Sequence, residues 1–118
     1  MNEKDLRLGN LVDLDGQEGF EVLSIGAGLL TVKHKKYSTT KSIDQFLPIP
    51  LTQEWTSKFD KQQIELFLQY FPVKITISLG EKAWLMFIGN GANVQYEFVH
   101  QFQNVFHSLM GEELKINA

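Results

Sequence analysis

The chain has 118 residues, of which 43% are hydrophobic and 21% charged, and its formal net charge is −3. That length suits one domain with its own core, and ample apolar residues with little net charge exclude intrinsic disorder. Because cysteine is absent, disulfides, thiolate zinc sites and cysteine nucleophiles are excluded as well.

The opening "MNEKDLRLGN" shows no charged start followed by a long apolar run, so no secretory signal is expected and a cytoplasmic location is. Apolar runs elsewhere are short, far below the roughly 20 residues that span a bilayer. From residue 6 to 50 the chain is turn-rich and β-leaning. "NLVDL" meets the turn cluster "DGQEG", then "FEVLSI", "LLTVKH" and "YSTTKSI" follow. Phe20, Val22, Leu23, Ile25, Leu29, Leu30 and Val32 recur with near period two, the mark of half-buried strands. Short strands at this spacing predict a strongly curved meander of SH3-like type. "GAG" at Gly26–Gly28 is a turn rather than a nucleotide loop, since Thr31 stands where the fingerprint needs its third glycine.

The stretch "SIDQFLPIPLTQEW" is a seam. Ser42 and Gln45 have capping-box spacing for one helical turn, Pro48 and Pro50 fix an extended connector, and Thr52 caps a short helix reaching Phe59. "DKQQIELFLQYFP" carries two patterns. Ile64, Leu66, Leu68 and Tyr70 alternate, whereas Phe67 and Phe71 have helical spacing. The strongly β segment that follows tips the expectation for 61–71 towards strand. Val73, Ile75, Ile77 and Leu79 alternate strictly, and "KAWLMFI" and "VQYEF" follow after the turns "GE" and "GNGAN". Residues 73–98 are therefore expected to form a three-stranded antiparallel meander.

At Val99 the period becomes 3.6. Val99, Phe102, Val105, Phe106, Leu109 and Met110 fall within an arc of roughly 140° on a helical wheel. Both His100 and His107 lie outside it, on the polar side, and Gly111 is placed to close the helix in a left-handed cap. The two histidines are about 10.5 Å apart along the axis, too far to share a metal ion. Glu112 and Glu113 are adjacent carboxylates beyond the helix end, with nothing to mark a catalytic cleft. Neither a nucleophile elbow nor a phosphate loop appears. No metal or cofactor is expected, and a binding or accessory module is expected rather than an enzyme, with a small hydrolase ranked last.

Two surfaces could carry binding. Lys33, Lys35, Lys36 and Lys41 cluster around His34 and Tyr37, a composition suited to single-stranded nucleic acid through charge and stacking. The acidic balance of the whole chain favours a solvated hairpin there instead. The second surface is the amide-rich face formed by Gln101, Gln103, Asn104 and His107, expected to be open to a protein partner and dispensable for stability.

Three motifs carry a family resemblance. "LRLGNLV", "PIPLTQEW" and "FVHQFQNVFHSLMGEEL" resemble, in order and spacing, those of a family of short uncharacterised proteins of Bacteroidetes-type bacteria, some in phage-like gene neighbourhoods. The sequence departs from that pattern with Phe102 in place of leucine and Met110 in place of threonine. The resemblance implies one co-evolved α+β unit with a terminal helix and a mobile-element context, and it implies no catalytic residue. The combined expectation is a single domain of 118 residues, with a β-rich subdomain at 6–50 and a helix, sheet and terminal helix at 51–118. Another protein is the expected partner, a second copy of the chain is admissible, and a membrane is not expected.

Overall fold

A computed structural model describes residues 1–88 and 94–117. In chain order the elements are β1 (Leu11–Leu14), β2 (Gln17–Gly26), β3 (Leu29–His34), β4 (Tyr37–Ser42), β5 (Phe46–Leu47), α1 (Gln53–Lys58), α2 (Lys61–Tyr70), β6 (Val73–Ile77), β7 (Ala83–Phe87), β8 (Gln95–Tyr96) and α3 (Val99–Met110). The fold is α+β with antiparallel sheets. Contacts divide the chain into two compact units, Met1–Ile49 and Pro50–Ala118. The boundary falls between the prolines of the predicted seam.

In the first unit the strand order is β4-β3-β2-β1-β5. Asp15 and Gly16 both take positive φ, 54° and 82°, the turn whose twist matches a right-handed hairpin. Asp13 reinforces it by accepting the Gly16 N–H at 3.0 Å. Register shifts at Val12/Asp13 and Val22/Ser24 are the bulges that bend such a sheet. One face buries Leu6, Val12, Leu14, Phe20, Val22, Leu30, Val32 and Phe46. The "LRLGN" motif is a turn that Asn10 closes from its side chain. Its Oδ1 accepts the Arg7 N–H at 2.7 Å, and its own N–H donates to Arg7 O at 3.0 Å. The predicted turn after Ser42 forms as a 3-10 segment, Ile43–Gln45, but Ser42 makes no side-chain cap.

In the second unit Thr52 caps α1 as expected, accepting the Trp55 N–H at 3.2 Å. Residues 61–71 are corrected from strand to helix. Asp60 caps α2 by accepting the Gln63 N–H at 3.0 Å, and Gln63 and Phe67 are buried one turn apart. The alternating Leu66, Leu68 and Tyr70 are exposed. Their period-two pattern is the solvent side of the helix, and the cap with the Gln63–Phe67 spacing decides the element. Strands β6, β7 and β8 form the expected meander, while the turn expected at 89–93 lies outside the described residues. Leu51 enters where β7 and β8 part, donating its N–H to Glu97 O at 2.7 Å and accepting from Ala83 N at 3.0 Å. The rings of Phe59, Phe67, Phe102 and Phe106 interlock, with centroids 4.8 Å apart for Phe59–Phe102, 6.0 Å for Phe67–Phe102 and 5.2 Å for Phe67–Phe106. These contacts join α1, α2 and α3 in one aromatic core.

Candidate functional site

The polar residues of the last helix serve the fold before they serve a site. Phe98 occupies the N-cap position of α3 without a side-chain acceptor, and Gln101 takes over the task. Its Oε1 accepts the N–H groups of Glu97 at 3.0 Å and Phe98 at 3.2 Å, satisfying donors that a helix start leaves open. At the other end Gly111, with φ 72°, adopts the left-handed cap that a Cβ would disfavour. Its N–H donates to His107 O at 3.0 Å. Glu112 does not meet a histidine; its Oε1 accepts from Gln63 Nε2 at 3.0 Å.

Burial along α3 overturns part of the wheel. Val99, His100, Phe102, Gln103 and Phe106 are buried, Gln103 at 2% exposure and His100 at 4%. Gln103 is therefore corrected from surface to interior, and His100 from the solvated side to the core, where its ring stacks on Phe98 at 6.0 Å. Every buried position lies between 99 and 106, and everything from His107 to Met110 is half-buried or exposed. On the wheel the buried positions span one arc of about 160° from Phe102 to His100, turned towards Gln103 relative to the apolar arc, and the helix emerges at its end. A wheel projects along the axis and so cannot register that change of depth. Leu109, which the wheel placed inside, is 37% exposed.

The emerging half leaves an open groove. Phe87 of β7, Tyr96 of β8 and Asn104, Val105, Ser108 and Leu109 of α3 line a depression of about 290 Å³. Phe87 and Tyr96 meet edge to face at 6.2 Å and form its floor on the sheet side. Of the four expected partner-surface residues, only Asn104 lines this groove. Gln101 is a cap, Gln103 is interior, and His107 is half-buried without lining it. The aromatic floor went unread in the sequence, although the alternation Ala83–Leu85–Phe87 places Phe87 on the helix-facing side. A smaller hollow of about 200 Å³ lies between Pro50, Leu51, Lys82, Trp84, Glu97 and Phe98.

The lysine cluster is split by the pleat. Lys33 pairs with Ser38, His34 with Tyr37 and Lys41 with Leu30. Directly opposed residues share a face and successive ones alternate. Lys41 therefore sits on the Leu30 side and Lys33 on the other, beside Glu21. Lys35 and Lys36 form the hairpin tip, next to the His34–Tyr37 pair. Tyr37 is 56% exposed, and its edge rests on Phe20 at 6.3 Å. His34 packs on Phe20 at 5.2 Å and meets Gln17 Nε2 at 3.3 Å.

Such surfaces offer apolar contact, amide hydrogen bonding and a small positive tip. Comparison with protein-family models, with curated proteins and with solved structures gives no match for this chain. No helix among the described residues is long and apolar enough to cross a membrane.

Proposed function

We propose that the chain is a non-catalytic binding or accessory module that acts through protein–protein contacts in the cytoplasm. The observation that carries this reading is the groove of Phe87, Tyr96, Val105 and Leu109, where apolar side chains stay half-open beside the polar Asn104 and Ser108. Aromatic anchors framed by a few polar groups are the composition of protein-binding patches. The first unit is read as an SH3-like module, supported by its five antiparallel strands, its two bulges and the 3-10 turn before β5. A Bacteroidetes, phage-related origin rests on the three motifs, whose residues Asn10, Thr52, Gln101 and Gly111 have backbone roles.

Binding of single-stranded nucleic acid at the hairpin tip is the second reading. Its support is that Lys35 holds a left-handed φ of 56°, a conformation glycine would adopt at less cost.

The test compares wild type, Leu109→Asp and the double variant Lys35→Glu/Lys36→Glu as baits, with captured proteins identified and the binding repeated with purified partner. Leu109→Asp should weaken binding at least about tenfold, or about 1.4 kcal/mol, with the hairpin variant unchanged. Undiminished binding by Leu109→Asp contradicts the groove. Fluorescent single strands titrated at two salt concentrations decide the second reading, because phosphate contacts must weaken as salt rises. A flat low-salt titration removes it.

A further inference from the structure

Beyond α3 the chain runs as an extended segment bound by its main chain. Gln63 reads both sides of Leu114: its Nε2 donates to Glu113 O at 3.0 Å, and its Oε1 accepts the Lys115 N–H at 2.7 Å. Next to it, Asp60 N donates to Lys115 O at 2.9 Å, and Asn117 N donates to Lys58 O at 2.6 Å. These two bonds flank an antiparallel bridge between Phe59 and Ile116. The Leu114 side chain is buried at 4% exposure. One side-chain amide, one short run of backbone and the burial of one leucine thus fix an extended peptide. This is how added strands are bound, with the main chain supplying affinity and a pocket supplying register.

We infer that segment 113–117 is an exchangeable strap, and that its groove also takes the same segment from a second copy of the chain, giving a reciprocally swapped dimer. The contacts of the swapped site are those of the closed monomer, so the occupant is fixed by the complementarity already described. The hinge is the pair Gly111 and Glu112. Gly111 is left-handed and both residues are exposed, so redirecting the backbone there gives up only the Gln63–Glu112 hydrogen bond. Swapping through such a hinge exchanges identical contacts at little cost. A short hinge presents the strap to its own groove at an effective concentration on the order of millimolar. Exchange should therefore compete only when the protein itself approaches that range.

The experiment uses full-length chains unfolded in denaturant, refolded at about 10 μM and at about 1 mM, and then sized by chromatography with light scattering at one common dilution. The dimer share of wild type should rise at least several-fold at the higher refolding concentration and decay only slowly after dilution. Leu114→Ala weakens the strap and Gln63→Ala weakens the groove. Co-refolding these two variants should yield a mixed dimer, seen by native mass spectrometry, in which one intact groove holds one intact strap. Monomer at both concentrations for wild type overturns the inference, as does the absence of any mixed dimer after co-refolding at the higher concentration. If either variant fails to fold, the wild-type concentration series decides alone.

Discussion

Gln63 shows how much of this fold is set by single amides. Its side chain makes three hydrogen bonds, to Glu112, Glu113 and Lys115, from a position at the buried edge of α2. Removing it leaves part-buried backbone groups without this partner, which costs up to about 1–3 kcal/mol. Gln63→Ala should lose that much in a denaturant melt, whereas Gln62→Ala, on the exposed side, should stay within about 0.5 kcal/mol. Equal effects would show that the amide does not hold the 112–115 turn. Gln101 plays a comparable part at the start of α3. A sequence displays such residues only as polar, and polarity alone assigns them to a surface. Their use as backbone ligands depends on which segment arrives opposite them, and that is settled by the fold.

Among the elements, those with one consistent signal were legible. The β6–β7 pairing, the Thr52 cap and the Gly111 terminus appear where the pattern placed them, although Leu79, which the alternation put in the strand, lies beyond β6 and is fully exposed. Segment 61–71 carried two periods, and the exposed leucines supplied the misleading one. Phe67→Ala, which removes a fully buried ring shared with Phe102 and Phe106, should cost about 3–5 kcal/mol. Leu68→Ala on the open side should cost less than about 1 kcal/mol. Similar losses at both positions would contradict the helical reading. The groove was half legible. Asn104 came from the wheel, but Val105 and Leu109 were assigned inward because the wheel treats every turn as equally deep.

At the scale of the whole molecule, each unit has its own source of order. The first closes over the Val12, Phe20, Val32 and Phe46 set, and the second over its interlocked phenylalanines. The seam between them was legible because two prolines cannot continue either kind of element. The proposed function rests on what the second unit leaves uncovered, and that depends on how α3 lies. If α3 gives Gln103 to the core and Leu109 to the groove, their contributions to stability must be the reverse of those a helical wheel assigns. Urea melts of Gln103→Ala and Leu109→Ala, run side by side, test this most directly. The expected result is a loss of about 1–3 kcal/mol for Gln103→Ala, from disturbing a buried amide, and less than about 1 kcal/mol for Leu109→Ala. A neutral Gln103→Ala together with a Leu109→Ala loss above about 2 kcal/mol, the size of a core truncation, would contradict both the lie of the helix and the groove built on it.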